Sequence, residues 1–198
     1  MSFTGLIQDA INKHTGGSQN PGYNNNNNHD DEFNPAVSHA QAHHSSEDSS
    51  LFNSALSFIN ERKSQYANTN SYDIDESHMV QSHQAMYGGG DQDRRAHDAD
   101  SLGAGAAMQA LKMFTSGSAD SSGGGGTDKN KLIGIAMAQA GKLWDEKNSN
   151  GGVSGDKQTA INKAAEMALK MYLKGQGSGS TGTGGPSGLM SLASKLMK

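Results

Sequence analysis

The chain has 198 residues, of which only 33% are hydrophobic and 26 are glycine, so much of it cannot belong to a packed core. It contains no cysteine, which excludes disulfides, thiolate metal sites and a cysteine nucleophile. Residues 1–100 carry 14 acidic against 5 basic side chains, whereas residues 101–198 carry 6 against 11. The opposite signs favour attraction between the two halves and do not by themselves indicate nucleic-acid binding.

The first two segments differ in apolar content. Residues 1–14 are predicted to form an amphipathic helix, because apolar side chains recur there at helical spacing. This stripe consists of Phe3, Leu6, Ile7, Ala10 and Ile11. Residues 15–45 form an Asn- and His-rich linker with few large apolar groups, so we predict disorder there apart from a helical turn after Pro35.

Residues 46–174 are predicted to form a helical domain. Every segment in it has helical rather than alternating spacing, so the fold class is all-α, a loose bundle of about seven short helices when both terminal segments are counted. The last three helices of this domain look like repeats of one unit, predicted at residues 101–115, 128–147 and 156–174. Glycine- and serine-rich connectors separate the segments, and the last of them, 175–185, leads to an amphipathic helix predicted at 186–198.

The three repeat-like helices contain the echoing nonamers AAMQALKMF, AMAQAGKLW and AAEMALKMY. At about 100° per residue, the alanines and the terminal aromatics Phe114, Trp144 and Tyr172 fall on equivalent stripes of their helices. Alanine permits close helix approach, and we expect the aromatics to be structural residues that supply most of the buried area. Asp128 and Asp156 precede the second and third helices, where each can act as an N-cap.

Lysines follow the outer faces of the same helices. Lys112, Lys142 and Lys170 lie roughly 160° from the aromatics, so all three are predicted to point to solvent. Lys163, Lys170 and Lys174 form a basic face that is compatible with RNA, a membrane surface or a calmodulin-like receptor, although a solvated face is the commoner outcome. These five lysines are the predicted interaction surface.

Three sequence patterns imitate ligand sites without their key features. His39, His43 and His44 offer metal ligands, but no defined apolar face holds them rigid. The loop EKNSNGGVSGDK at 146–157 resembles a calcium loop, yet Lys157 stands where a bidentate carboxylate is needed. GSGSTG at 177–182 matches G-x-G-x-x-G but follows a predicted helix rather than a strand. We therefore predict neither a metal nor a cofactor.

The sequence limits the function and the cellular location of the protein mainly through motifs that it lacks. No set of acid, base and nucleophile appears, so we predict that the protein is not an enzyme. No stretch approaches the roughly 20 apolar residues of a membrane span, and no secretory signal is recognisable. Residues 1–14 contain Asp9, and the first arginine is Arg62, which disfavours a mitochondrial presequence. The expected location is the cytoplasm, with the nucleus as the alternative and the mitochondrion disfavoured.

Several helical segments resemble a known family. The segments SSLFNSALSFINERK, AAMQALKMFTSG, KLIGIAMAQAGKLWDEK, KQTAINKAAEMALKMYLK and GLMSLASKLM look like those of the fungal beta-flanking proteins and follow the same order. These are small fungal proteins grouped under a domain of unknown function. The resemblance implies a family and no catalytic or ligand residue. Some members of the family carry a mitochondrial ribosomal small-subunit label.

The sequence thus predicts a non-catalytic intracellular protein that acts through helix-mediated association with an unknown protein partner or with itself. A stress-related role fits the low hydrophobicity and the high glycine content. Two alternatives stay open. One is an RNA- or ribosome-associated accessory protein, and the other is a peripheral membrane protein that binds through its terminal helices.

Overall fold

The computed structural model describes residues 32–66, 74–88, 97–116 and 129–177. These residues form six helices and two strands of two residues each. In chain order the elements are α1 (Asn34–His43), α2 (Ser49–Tyr66), α3 (Glu76–Tyr87), β1 (His97–Asp98), α4 (Ala99–Thr115), α5 (Lys129–Ser149), β2 (Val153–Ser154) and α6 (Lys157–Gly177). The all-α prediction is confirmed. The helices predicted at 1–14 and 186–198 lie outside the described residues.

Helices α4, α5 and α6 pack against one another and form the centre of the bundle. Strand β1 directly precedes α4, and β2 precedes α6 by two residues. The two strands pair in parallel, with His97 opposite Val153 and Asp98 opposite Ser154. This pairing starts α4 and α6 side by side in the same direction, so that α5 runs back along both. Two-residue strands are too short to produce an alternating pattern, which explains why the sequence did not reveal them.

Each outer helix lies on one central helix: α1 on α5, α2 on α6 and α3 on α4. Glycines bring backbones close at two of the contacts. A methyl group on Gly134 of α5 would lie 2.5 Å from the carbonyl oxygen of Ala36 in α1, and one on Gly103 of α4 would lie 2.9 Å from the backbone nitrogen of Ala164 in α6. The helices therefore approach to a distance at which no side chain fits between them.

The core consists mainly of alanine and aliphatic side chains. The alignment of the nonamers pairs residues 101–112 of α4 with residues 131–142 of α5. At each aligned pair the two residues are alike in being buried, partly buried or exposed, as the alignment predicted. A second, smaller cluster at the strand end of the bundle is formed by Met86, Ala99, Leu102, Leu143 and Ala160. Alanine on several faces of α4 and α5 lets neighbouring helices approach from more than one side.

The three terminal aromatics do not supply most of the buried area. Phe114 and Tyr172 are partly buried against the main core, and Trp144 packs on the smaller cluster at the strand end. The expectation fails because α4 and α5 are covered on several faces, so Leu, Ile and Met side chains contribute most of the large buried groups. The largest fully buried residues include Leu102, Met108, Leu111, Leu132, Ile133 and Ile135.

The prediction of disorder over residues 15–45 is wrong for Asn34–His43, which form α1. The predicted turn after Pro35 is the start of this helix, where proline suits the first turn. The helix buries Ala36 and Ala40 against α5 and carries no other fully buried residue. Two alanines suffice because they face Gly134 at close range. Residues 15–31 lie outside the described part of the chain.

The bounds of the three repeat-like helices match the structure within a few residues. The helix predicted at 101–115 begins two residues earlier, and the one predicted at 156–174 extends to Gly177. Asp156 accepts a hydrogen bond from the Thr159 backbone N–H at 2.8 Å, so its predicted N-cap role is confirmed. Asp128 lies outside the described residues. Within the described part, no helix has the length and apolar character needed to cross a bilayer.

Candidate functional site

One end of the bundle contains an apolar pocket whose walls come from four helix ends. The starts of α1 and α5 meet the ends of α2 and α6 there. The pocket has a volume of about 210 Å³. We call it the Phe33 pocket, and it is lined by Glu32, Phe33, Lys63, Tyr66, Lys129, Leu169 and Leu173. Its volume is enough for one or two aliphatic side chains, which makes it suited to anchoring residues rather than to a whole cofactor.

Two lysines flank the aromatic side of the pocket. The Nζ of Lys129 lies 4.7 Å from the centroid of the Phe33 ring, and that of Lys63 lies 5.6 Å from it. Both ammonium groups also contact the Glu32 carboxylate. Among the described residues that line the pocket, the charged side chains are therefore Lys63, Lys129 and Glu32, in contact with one another.

Tyr66 forms the opposite wall together with Leu169 and Leu173. Burial raises the pKa of the Tyr66 phenol above its usual range, and the nearby Glu166 carboxylate raises it further. The Nζ of Lys170 lies 5.3 Å from the centroid of the Tyr66 ring. The Tyr66 ring is buried and forms part of the apolar wall of the pocket.

A larger cleft of about 510 Å³ lies along α2 and is mostly polar. It is lined by Asn34, Asn53, Leu56, Ser57, Asn60 and Glu61. Solvent competes well for hydrogen bonds with exposed carboxamides, so such a cleft binds weakly without an apolar floor. The smaller Phe33 pocket is therefore the stronger candidate.

Charged residues that are distant in sequence meet near the C-terminal end of α5. The Nζ of Lys157 donates to the Asp145 carboxylate at 2.8 and 2.9 Å and contacts Glu47, whose side chain is only 7% exposed. The imidazole of His44 lies 3.6 Å from Glu47 and 4.0 Å from Asp145. We call these four residues the Lys157 cluster. Gly141 makes room for it, because a methyl group there would lie 3.0 Å from a Glu47 oxygen.

The geometry of the Lys157 cluster speaks against a cation site. Ligand atoms of His44, Glu47 and Asp145 lie within 4.8 Å of one another, close enough for a shared metal ion. However, the Lys157 ammonium contacts both carboxylates and supplies the positive charge that a metal would bring. Burial alone would lower the pKa of Lys157, but the Asp145 and Glu47 carboxylates outweigh it and raise that pKa. Lys157 thus neutralises the two carboxylates and occupies the place that a metal ion would take.

The predicted basic face is paired within the molecule. Lys163 lies 3.2 Å from Asp100 and Lys174 lies 3.1 Å from Glu76. Lys170 lies 2.8 Å from Glu166 and is half-buried, so the expectation that it points to solvent is wrong. Its acidic partner sits four residues earlier on the same helix, and a lysine that reaches back to it covers the Tyr66 ring. Lys112 and Lys142 are exposed as predicted.

A buried histidine lies between α3 and α4. The Nε2 of His83 is 2.8 Å from the Gln109 side-chain oxygen, and the ring stacks on Tyr87 with centroids 4.9 Å apart. Burial lowers the pKa of His83, and the charge of Lys112 lowers it further, while the Gln109 hydrogen bond raises it. Burial also lowers the pKa of His44. Both imidazoles are therefore neutral in the folded protein at pH 7.

These two histidines predict a loss of stability on mild acidification. The unfolded chain takes up protons near pH 6.5, whereas the folded chain resists protonation, so the free energy of unfolding should fall below that pH. Each histidine contributes at most about 1.4 kcal/mol per pH unit. Urea unfolding at several pH values between 7.5 and 5 measures this slope. The variant H83Q should have a flatter slope, whereas Q84A, at an exposed position of the same helix, should keep the original one.

Comparison with known proteins found a similar family for the first part of the bundle. Residues 32–119 match the family model described as Domain of unknown function (DUF7721). This stretch is similar to that family, and the match covers less than half of the 198-residue chain. Neither the search of curated proteins nor that of solved structures found a match.

The matched stretch covers α1 to α4, and α5 and α6 follow it in the chain. Since α4, α5 and α6 share one core, the matched stretch packs together with the two helices that follow it. The Phe33 pocket combines both parts, with Phe33 and Tyr66 from the matched stretch and Leu169 and Leu173 from α6. A signal for Phe33 did exist in the sequence, because an apolar residue just before a proline-started helix commonly packs against a neighbouring element.

Proposed function

We propose that the protein is a non-catalytic association module whose Phe33 pocket anchors a helical segment of a partner protein. The observation that carries this proposal is an apolar pocket at the meeting point of four helix ends. The partner segment should present two apolar side chains three or four residues apart. The apolar pair would fill the pocket between Phe33, Tyr66 and Leu173.

The absence of catalysis is part of the same proposal. The ionisable groups around the pocket are engaged with one another: Glu32 with both rim lysines, and Tyr66 with a raised pKa. The Lys157 cluster likewise pairs each carboxylate with an ammonium group. Groups held in this way stabilise structure more readily than they transfer protons.

The remaining assignments also stay proposals. Kinship with the fungal beta-flanking proteins rests on the order of the helical segments, four of which fall on described helices. A cytoplasmic location fits this reading, and so does a stress-related role, in which association through the pocket would depend on conditions in the cell. A peripheral membrane role would rest on residues 1–14 and 186–198. RNA binding draws less support, because Lys163, Lys170 and Lys174 are already paired with carboxylates.

Introducing a charge into the pocket should abolish partner binding. Leu173 is partly buried on the pocket wall near the end of α6, so L173E should leave the fold intact and weaken partner binding by at least about tenfold. A photoreactive residue at position 129 in the full chain would first capture the partner segment, which is then synthesised and titrated by fluorescence anisotropy.

The matched control is K142E, which changes an exposed position away from the pocket and should bind as the unaltered chain does. Circular dichroism must give the same helical signal for both variants. If the captured segment binds L173E as tightly as it binds the unaltered chain, the Phe33 pocket is not the binding site and the proposal is wrong.

A further inference from the structure

We propose that Asn150 is a site of spontaneous deamidation, where water converts the side-chain amide to a carboxylate and shifts part of the chains to the isoaspartyl form. Asn150 is followed by Gly151, and the sequence contains no other Asn-Gly pair. The pair lies in the exposed turn between α5 and β2. Glycine favours the reaction because it has no Cβ that would hinder the approach of its backbone nitrogen to the preceding side chain.

The reaction joins the backbone nitrogen of Gly151 to Cγ of Asn150. The nitrogen loses its proton to a base in the solvent and attacks Cγ, the bond from Cγ to Nδ2 breaks, and ammonia leaves. Water then opens the resulting succinimide ring. Opening at Cγ gives aspartate, whereas opening at the backbone carbonyl gives isoaspartate, in which the main chain runs through the former side chain. An amide and water thus become a carboxylate and ammonium, without any oxidant or reductant.

The turn leaves space for this ring closure. A methyl group on Gly151 would meet no atom within 4 Å beyond the chain neighbours. In the closed turn, the Gly151 N–H donates to the Asn148 carbonyl oxygen at 3.0 Å, and Asn150 Nδ2 donates to the Glu146 carbonyl oxygen at 3.1 Å. The reaction therefore proceeds from the opened turn. Opening requires little, because these hydrogen bonds belong to exposed residues at a helix end.

The side chain of Asn150 stabilises the end of α5 before it reacts. Its Nδ2 satisfies the Glu146 carbonyl oxygen, which lies in the last turn of the helix. A carboxylate has no proton to donate to that oxygen. It would also add a negative charge at the C-terminal end of a helix, where the helix dipole disfavours it. Aspartate at position 150 should therefore weaken the last turn of α5.

Isoaspartate has a further effect, because it lengthens the main chain by one methylene group. The added atom would lie just before Gly151 and Gly152, and the Gly152 carbonyl oxygen accepts a hydrogen bond from the His97 N–H at 2.9 Å. Strand β2 begins at the next residue, Val153. A longer chain at this point displaces Gly152 from β1. Deamidation should thus loosen the strand pair that connects the starts of α4 and α6.

The modification can be located by ageing the full-length chain in mildly alkaline buffer. Peptide mapping by mass spectrometry detects the gain of one mass unit, and isoaspartyl methyltransferase labels isoaspartate. We expect Asn150 to convert first, while Asn148, which is exposed in the same turn but followed by serine, stays unchanged. Earlier conversion of any other asparagine would overturn the proposal. So would an Asn150 that survives in the folded chain after a synthetic peptide of residues 146–155 has converted.

Two matched variants test the role of the attacking nitrogen. G151A places a methyl group beside this nitrogen, whereas G152A adds the same group one residue later. We expect G151A to deamidate at least about tenfold more slowly, which corresponds to about 1.4 kcal/mol of activation free energy, and G152A to react as the unaltered chain does. Alanine at the φ of +68° found for Gly151 would strain the turn and open it, so a tighter turn cannot explain the slower reaction. Equal rates for G151A and the unaltered chain would contradict the mechanism.

Hydrogen exchange measures the effect on the strands. The His97 amide should exchange faster in the purified isoaspartyl form than in the unaltered chain, because its acceptor at Gly152 is displaced. N150D has the new charge with a normal main chain, so its His97 amide should be less affected. If the isoaspartyl form protects this amide as well as the unaltered chain does, the modification does not reach β1 and the proposed loosening is wrong.

Discussion

Replacement of Gly134 by alanine should destabilise the protein by about 3 kcal/mol. The new methyl group would lie 2.5 Å from the Ala36 carbonyl oxygen, 2.6 Å from the His39 Cβ and 3.0 Å from the Ala40 backbone nitrogen. Two of these atoms belong to the backbone of α1, so no rotation of a side chain can relieve the clash. Helix α1 must shift away from α5. Urea unfolding monitored by circular dichroism measures the loss.

The control for G134A is G152A, which adds the same methyl group where space exists. The nearest atom to a methyl group on Gly152 is the Lys147 carbonyl oxygen at 3.4 Å, an ordinary contact. We expect G152A to change the free energy of unfolding by less than about 0.5 kcal/mol. A loss for G134A as small as that for G152A would show that α1 does not pack on α5 at the distance described.

Removal of the ammonium group of Lys157 should cost about 2 kcal/mol. The variant K157M keeps the aliphatic stem and leaves the Glu47 carboxylate, 7% exposed, without its positive partner. Asp145 loses the same partner but is largely exposed and can be solvated. A buried carboxylate without compensation accounts for most of the cost, which chemical denaturation at pH 7 would measure.

The double variant E47Q/K157M separates charge from packing. Removing both charges should recover more than half of the loss, because no uncompensated carboxylate remains in the buried position. If K157M alone is as stable as the unaltered chain, the Lys157 cluster contributes no stability. If the double variant is less stable than K157M, packing rather than charge explains the effect.

The central helices could be predicted from the sequence because the residue patterns that indicate a helix lie within the helix itself and at its two ends. Apolar residues at helical spacing, glycine-rich breaks and the cap at Asp156 together placed the three repeat-like helices within a few residues of their observed bounds. The exposure of Lys112 and Lys142 follows from the same periodicity. The burial of the terminal aromatics does not, because it depends on how many neighbours each helix acquires.

Helix α1 and the Phe33 pocket could not be predicted from the sequence. The residues that determine them lie in segments that are far apart in the chain. Ala36 and Ala40 indicate little by themselves and become core only where Gly134 admits the backbone of α1. The pocket combines side chains from residues 32 to 173. In the same way, Lys174 pairs with Glu76 almost a hundred positions away, a relation that no periodicity encodes.

The parallel pairing of β1 with β2 bears on how the chain folds. It closes a chain segment that runs from residue 97 to residue 153, at an entropic cost of about 3.5 kcal/mol. Two paired residues on each side cannot offset that cost before α4 and α6 have come together. The strand contact must therefore form late, after the helices have collapsed, and it locks the relative register of α4 and α6 rather than nucleating the fold.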